Sequence, residues 1–214
     1  MEIKGIYPPN LYAIKYSGDK LNIYRLTLRN LTDTDYLEKF FSDFNTQISD
    51  FLIDELGYGR DEIEEYIIET NDQIIDIRDD LEKICKDIAA ERTPNFGSYF
   101  KPHSKIDFGN PVYGGGVSKE YGIEYLPVKC YGTNRPPLVR IYAIELALDC
   151  YLIIYGAIKI QKSTEKSPAF DRRGNPTTIE EEIKKYVHKV CKFLKDNSII
   201  DKQTLLDYMK EDDE

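Results

Sequence analysis

The sequence predicts an α+β protein, with an antiparallel or mixed β-sheet, an inserted acidic antiparallel helical hairpin and a C-terminal helix. Three observations support this fold class. Strand-like runs rich in Val, Ile, Tyr and Leu lie towards both ends of the chain. Between them, apolar residues recur with a helical period. Near the C-terminus, an amphipathic segment follows residues that typically begin a helix.

Composition sets the broad class. With 214 residues, of which 41% are hydrophobic and 31% charged, the chain is long enough for one globular domain with a helical appendage. We expect a cytoplasmic protein, because no run reaches the ~18 apolar residues typical of a membrane span and the first residues contain no apolar signal segment. The cysteines form no C-x-x-C pair, so neither a zinc site nor disulfides are expected. They are Cys85, Cys130, Cys150 and Cys191.

Residues 1–30 are expected to contribute strands to the sheet. LYAIKYSG, at 11–18, is typical of a strand that ends in a Ser-Gly-Asp turn. The next segment, KLNIYRLTLRN at 20–30, alternates apolar and polar residues closely enough to predict a second strand, although a loop fits it as well.

Residues 31–92 are predicted to form the acidic helical hairpin. Apolar side chains recur at helical spacing from Tyr36 to Leu56, and Gly57 ends that helix. The second helix carries a narrow seam whose residues advance by alternating steps of four and three: Ile63, Ile67, Thr70, Ile74, Ile77, Leu81, Ile84 and Ile88. A seam of this kind packs against another helix, which predicts an antiparallel pair about 45 Å long.

Residues 93–118 are predicted to be a linker, because they contain three prolines and three consecutive glycines. Residues 119–214 then contain three strand-like runs, YGIEYLPVKCYG, PPLVRIYAIELAL and CYLIIYGAIKIQ. Thr177 or Thr178 is expected to cap the following helix, whose first turn is acidic. A shorter helix, DKQTLLDYMK, is expected near the end.

Charge is distributed unevenly along the chain. Residues 31–92 contain 6 Lys and Arg against 19 Asp and Glu, a net charge of −13. Residues 129–173 contain 8 Lys and Arg against 4 Asp and Glu, a net charge of +4. Such asymmetry is typical of a partner surface, and the alternative is an exposed helix pair that is acidic for solubility.

The strongest candidates for chemistry lie in LVRIYAIELALDCYLIIYGAIKIQKS, at 138–163. Strand alternation places Arg140 and Tyr142 on one face of the first strand, and Tyr155 and Lys159 on one face of the second. If the strands pair in register, the cations can hold phosphates while the rings stack on bases. The alternative is that both strands half-bury their tyrosines and extend their cations to solvent.

No metal or cofactor is expected. The two histidines, His103 and His188, lie in no spacing that is typical of a zinc site. No G-x-S-x-G motif is present, and nothing in the sequence indicates a nucleophile with a base and an orienting group.

The order of these elements resembles the RelE/HigB toxin superfamily, in which a strand with an R-x-Y core precedes a strand ending in G-x-x-K, a basic segment and a helix. LVRIYAI matches the first motif and IIYGAIKIQKS the second, and the match covers roughly residues 121–196. The whole chain also resembles uncharacterised proteins of Bacteroidetes-type genomes, with LYAIKY near the start and an R-[IL]-Y-A-I…GAIK hairpin near the end. This second resemblance implies no activity.

The superfamily resemblance implies a RelE-like sheet and a metal-independent mRNA endoribonuclease, the toxin of a type II toxin–antitoxin pair. In this chemistry the 2′-hydroxyl attacks the adjacent phosphate, so the protein must supply a base, a cation for the phosphorane and a proton for the 5′-oxygen. The resemblance assigns catalysis to Arg140, Lys159 and Lys129. It also implies RNA contacts from Tyr142, Tyr155, Lys162, Arg172 and Arg173.

The implied partners are mRNA, on or off the ribosome, and a helix-turn-helix antitoxin; no membrane partner is expected. The chain is larger and more acidic than the usual toxins of this superfamily. This difference supports a second hypothesis, a non-enzymatic interaction module whose acidic hairpin binds a basic partner. In a third arrangement, the hairpin folds back over the basic face and blocks it.

Overall fold

The computed structural model of the protein describes residues 1–90, 96–102, 126–130 and 138–211. The larger sheet has the strand order β1-β2-β6-β5-β4-β3 and the smaller one pairs β7 with β8. The strands are β1 (Glu2–Tyr7), β2 (Leu11–Lys15), β3 (Lys101–Pro102), β4 (Leu126–Cys130), β5 (Val139–Ala147), β6 (Cys150–Ile158), β7 (Pro168–Phe170) and β8 (Pro176–Thr178). The predicted α+β class is confirmed, and the larger sheet is mixed because β2 pairs with β6 in parallel.

Helices cover both faces of this sheet. They are α1 (Ile23–Leu31), α2 (Thr34–Phe44), α3 (Asp50–Leu56), α4 (Ile63–Ala89), α5 (Phe96–Tyr99), α6 (Ile179–Asp196) and α7 (Lys202–Glu211), with a 3₁₀ turn at Asn45–Gln47. Gly156 of β6 lies against Thr27 of α1, whereas the ring of the neighbouring Tyr155 stacks on Tyr186 of α6. Because successive strand residues point to opposite faces, α1 and α6 approach β6 from opposite sides.

The β5–β6 hairpin forms where the sequence predicts it. Its two-residue turn places Asp149 at φ 56°, a left-handed conformation that Asp tolerates better than most residues. The Asp149 carbonyl accepts a hydrogen bond of 2.7 Å from the side-chain amide of Asn10. This contact ties the turn to the start of β2, the parallel neighbour of β6.

The strands β2 and β6 diverge after a short pairing. Their register ends at Ala13 and Ile153, and the β5–β6 pairing shifts register at the same level of β6. Beyond this point the Tyr16 hydroxyl donates a hydrogen bond of 3.0 Å to the Ile154 carbonyl in place of a backbone ladder. The divergence opens a space at the carboxyl ends of the two strands.

The prediction of a second strand at 20–30 is wrong, because Ile23–Leu31 form helix α1. The side chain of Asn22 caps this helix by accepting a hydrogen bond of 2.9 Å from the Arg25 N–H. The face that α1 buries has a helical spacing and comprises Ile23, Tyr24, Thr27 and Leu31. The preceding strand prediction at 11–18 is confirmed for Leu11–Lys15, and β1 was not predicted.

The acidic region is helical as predicted, but it is built into the core. The first predicted helix is broken into α2, the 3₁₀ turn and α3, while α4 is one helix of 27 residues, about 40 Å long. The helix α4 packs against α2, α1 and β5. Its buried side chains therefore belong to the same hydrophobic core as the sheet and are not confined to a seam between two helices.

Part of the predicted linker is also packed. Phe96 and Phe100 are buried, and the Phe100 ring stacks on Tyr151 with centroids 4.6 Å apart. Two residues of this segment form β3, which pairs with β4. These aromatic side chains explain why the segment joins the core despite its prolines. The triple glycine and His103 lie outside the described residues.

The C-terminal helices form as predicted. Thr178 is the N-cap of α6, and Thr178 and Glu181 form a reciprocal capping box. The apolar face of α6 packs on β6, and α7 follows it. All four cysteines are buried free thiols. None of the described helices combines the length and apolar content needed to cross a membrane.

Candidate nucleic-acid interface

The register brings together the side chains that strand alternation grouped. Tyr142 of β5 lies directly opposite Tyr155 of β6 on one side and Lys129 of β4 on the other. The two tyrosine rings stack with centroids 6.2 Å apart. Directly opposed residues share a face, so Lys129, Tyr142 and Tyr155 form a row across the sheet on the α6 side.

The arginine and the two tyrosines of the predicted site are buried. Arg140, opposite Ala157, is 8% exposed, and one guanidinium nitrogen donates a hydrogen bond of 3.1 Å to the Val139 carbonyl. Tyr142 is 1% exposed and Tyr155 is 7% exposed. Lys129 and Lys159 are half-buried. The register places Arg140, Tyr142 and Tyr155 close together as predicted, but these side chains are buried, and Lys159 follows the last residue of β6.

Arg172 and Arg173 occupy the turn between β7 and β8. The Asp171 carboxylate holds this turn by accepting hydrogen bonds from the backbone N–H groups of Arg173, at 2.8 Å, and Asn175, at 2.9 Å. The Asn175 side-chain amide donates to the same carboxylate, and these hydrogen bonds lower the pKa of Asp171. Gly174 supplies the positive φ of 81° that the turn requires.

Arg172 links this turn to the end of β2. Its guanidinium forms an ion pair with Asp19 and lies 5.3 Å from the centroid of the Tyr16 ring. An arginine held by a carboxylate and an aromatic face keeps a fixed position. Arg172 is therefore an oriented cation at the border between the turn and the diverging strands.

The turn and α6 together form a cleft of about 450 Å³, lined by Asp171, Arg172, Arg173, Lys185 and Lys189. We call it the basic cleft. Lys185 forms an ion pair of 3.0 Å with Glu182, whereas Arg173 and Lys189 are exposed and have no ion-pair partner among the described residues. Two unpaired cations beside two oriented ones make a surface suited to phosphate groups.

Sequence reasoning missed the lysines of α6. Lys185, Lys189 and Lys192 are spaced by four and three residues, which places them on one helical face. This spacing is visible in the sequence, but the proximity of that face to Arg173 depends on how the β7–β8 hairpin packs against α6. The lysine spacing can be read from the sequence, but only the tertiary structure shows that these lysines line a cleft.

Lys162 lies outside the basic cleft. Its ammonium group is 4.7 Å from the centroid of the Phe51 ring, on helix α3. The adjacent Gln161 side chain donates a hydrogen bond to the Gln47 carbonyl in the same region. Lys162 therefore packs against the acidic helices and not beside the other predicted RNA contacts of the β7–β8 turn.

Among the residues that the structure describes, no three His, Cys, Asp or Glu side chains are grouped so that they could hold a metal ion. His188 is exposed on α6.

Buried tyrosines surround the point where β2 and β6 diverge. The rings of Tyr155 and Tyr16 each lie against Tyr186, with centroids 5.3 Å and 4.8 Å apart. Burial raises the pKa of Tyr155, of Tyr186 and of Tyr16 well above the ordinary value. It also raises the pKa of Tyr36 to about 12. These phenols are therefore neutral at physiological pH and can donate hydrogen bonds, but they do not serve as bases.

Tyr155→Phe is expected to reduce the alkaline loss of stability by about 1.4 kcal/mol between pH 8 and 11. At the lower pH the phenol is protonated in both states. At the higher pH it is ionised only in the unfolded chain, where its pKa is about 10, so the free energy of unfolding falls as pH rises. Urea unfolding of both proteins at the two pH values measures this difference. Equal alkaline losses would contradict a neutral buried Tyr155.

Comparison with known proteins finds no match: no family model matches the chain, and no curated protein or solved structure is significantly similar to it. The resemblance to the RelE/HigB superfamily therefore stays a prediction.

Proposed function

We propose that the chain binds single-stranded RNA through the basic cleft and acts as a metal-independent mRNA endoribonuclease of the toxin type. The observation that carries the proposal is the meeting of the β7–β8 turn with α6, which joins Arg172 and Arg173 to Lys185 and Lys189. The geometry supports RNA binding more directly than cleavage. The cations of the cleft are at the surface, whereas Arg140 and Tyr142 are buried.

The proposed cleavage reaction needs no metal. The 2′-hydroxyl oxygen attacks the adjacent phosphorus and loses its proton to a base, while the bond from phosphorus to the 5′-oxygen breaks and that oxygen takes a proton. The products are a 2′,3′-cyclic phosphate and a 5′-hydroxyl. Lys129 and Lys159 are the proposed proton carriers, and Arg140 is the proposed cation that stabilises the phosphorane. A helix-turn-helix antitoxin is the proposed protein partner.

RNA binding is tested with the double variant Arg173→Ala/Lys189→Ala. Each substitution removes about one phosphate contact, so we expect the double variant to bind a single-stranded oligonucleotide about tenfold more weakly. The slope of log affinity against log salt should become shallower by about 1.4 for the two contacts. Fluorescence anisotropy at several salt concentrations measures both quantities.

The matched control is Lys83→Ala/Lys210→Ala, which removes the same charge from α4 and α7, outside the cleft. It should leave both affinity and salt slope nearly unchanged. Equal losses in the two double variants would attribute binding to net charge alone and would exclude the cleft. Absence of binding by the wild-type chain would exclude the proposed function altogether.

Cleavage is tested separately, with RNA incubated in excess chelator. Wild-type protein should yield 2′,3′-cyclic phosphate ends, and Lys129→Ala and Lys159→Ala should slow the reaction while leaving RNA affinity close to wild type. Both lysines are half-buried, so these substitutions disturb the core less than a change at Arg140. If the folded wild-type protein binds RNA but leaves it intact, the proposal of an endoribonuclease is rejected and the proposal of RNA binding is kept.

The second candidate is a non-enzymatic interaction module, which one feature of α4 favours. Its solvent face carries an array of exposed carboxylates: Glu64, Glu65, Asp72, Asp76 and Asp79. The described lining of the basic cleft includes no residue of α4, which favours an acidic surface that faces solvent over an internal blocker. The variant Glu64→Gln/Glu65→Gln/Asp72→Asn should weaken binding of a Lys/Arg-rich peptide, and the cleft variant should not.

A further inference from the structure

A cavity of about 420 Å³ lies where β2 and β6 diverge, between α1, α2, the β7–β8 turn and α6. We call it the tyrosine cavity. Four of its lining side chains are aromatic: Tyr36, Tyr155, Phe170 and Tyr186. Its size lies within the range of about 300–1,000 Å³ that is typical of small-molecule sites.

The aromatic side chains of the cavity walls pack against one another in pairs. Tyr155 and Tyr186 are stacked, with ring planes 28° apart, and Tyr36 meets the edge of Phe170 with centroids 6.2 Å apart. Because the three phenols stay protonated, the walls are uncharged at physiological pH. The Tyr155 ring stacks on Tyr142 as well as on Tyr186, and the Lys39 ammonium lies 4.8 Å from the centroid of the Phe170 ring. Uncharged aromatic walls favour a planar ring, which can pack against the parts of these rings that face the cavity.

Polar groups occupy the remainder of the lining. Arg29 and Asn30 come from the last turn of α1, and the Asp19–Arg172 ion pair comes from the opposite side. Arg29 is exposed and has no ion-pair partner among the described residues, whereas Lys39 of the same lining is paired with Asp43. The Arg29 guanidinium donates a hydrogen bond of 3.4 Å to the Asn30 side chain. A guanidinium beside aromatic walls that meets no carboxylate among the described residues suits a ligand that joins a planar ring to a phosphate.

The tyrosine cavity adjoins the basic cleft. Asp171 and Arg172 line both spaces, so a ligand in one lies next to a ligand in the other. We propose that the tyrosine cavity binds one nucleotide, with its base against the aromatic rings and its phosphate at Arg29. The nucleotide is either a free mononucleotide or one unstacked residue of RNA held in the basic cleft; the RNA case rests on the proposed function.

The free-nucleotide arm uses the full chain and four ribonucleoside 5′-monophosphates in isothermal titration. Adenosine and ribose 5-phosphate serve as ligands that lack the phosphate or the base. A nucleotide is expected to bind about tenfold more tightly than either fragment, because stacking and phosphate contacts then act together. Equal affinities for a nucleotide and for ribose 5-phosphate would overturn the assignment of a base to the aromatic walls.

Arg29→Gln is the variant for this arm, because Arg29 is exposed and its replacement leaves the core intact. It is expected to weaken nucleotide binding about tenfold and to leave adenosine binding nearly unchanged. The matched control is Arg25→Gln, since Arg25 is exposed on the same helix and does not line the cavity. Equal effects of the two variants would overturn the proposed phosphate contact.

The RNA arm compares a short single-stranded oligonucleotide with one that carries a single abasic ribose at its centre. Loss of the base is expected to weaken binding about tenfold, and Phe170→Leu is expected to abolish this difference. Nucleotide binding without RNA binding would keep the cavity assignment and reject the proposed function. RNA binding that is insensitive to the abasic site, with no nucleotide binding, would overturn the cavity assignment and keep the function.

Discussion

Gln73→Met is expected to lower the free energy of unfolding by about 3 kcal/mol, because it removes the acceptor for two buried N–H groups. The Gln73 carbonyl oxygen, on α4, accepts hydrogen bonds of 2.7 Å from Leu138 N–H and 3.1 Å from Val139 N–H. Gln73 is 2% exposed, so water does not replace these bonds. Methionine fills a similar volume, which leaves the loss of hydrogen bonding as the main effect. Urea unfolding followed by circular dichroism measures the change.

The matched control is Gln203→Met, the same substitution at an exposed position of α7. It should change stability by no more than about 0.5 kcal/mol. If Gln73→Met were as mild as Gln203→Met, the attachment of α4 to the start of β5 would not depend on these hydrogen bonds.

This attachment explains why the acidic region cannot be treated as a separable hairpin. The helix α4 buries Tyr66, Ile74, Ile77 and Leu81 in the core that the sheet shares. Deletion of residues 31–92 would expose that core, so point substitutions on the solvent face of α4 are the appropriate test of its role. The narrow repeat in the sequence predicted a helix correctly, but it did not reveal that the helix packs against the sheet as well as against α2.

Local signals predicted the elements that depend on local chemistry. The β5–β6 hairpin followed from two β-rich runs around Asp149, and α6 followed from a capping threonine and an acidic first turn. The helix α1 was missed because Ile23, Leu26 and Leu28 fit both an irregular strand and a helix. The side chain of Asn22 was the deciding signal, since an asparagine before an apolar run is a strong N-cap.

The candidate site was predictable in part for the same reason. Alternation along β5 and β6 grouped Arg140, Tyr142 and Tyr155, and the register joins them. Burial of Tyr155 depends on Tyr186 of α6, a helix that begins more than 20 residues after the end of β6. Alternation within a strand carries no information about such a distant cover. The basic cleft was missed because it also needs two distant elements to meet.

Gly156→Val is expected to lower the free energy of unfolding by about 3 kcal/mol, because it overpacks the contact between β6 and α1. A Cβ atom at Gly156 would lie 2.9 Å from the Thr27 Cβ and closer still to both branches of that side chain. Thr27 is 5% exposed and cannot turn away without moving α1. The glycine of the G-x-x-K segment is thus explained by the close approach of a helix. Urea unfolding measures the loss.

The cause is isolated by a double-mutant cycle with Thr27→Ala. Removing the branches of Thr27 should make the valine less costly by about 1 kcal/mol or more, so the two substitutions should not be additive. The control, Ala147→Val, adds the same kind of side chain at a half-buried position of β5 and should change stability by about 0.5 kcal/mol or less. Strictly additive effects of Gly156→Val and Thr27→Ala would show that steric conflict with α1 is not the reason for glycine in β6. Because Gly156 and Thr27 both line the tyrosine cavity, coupling between them would also show that α1 and β6 set its shape.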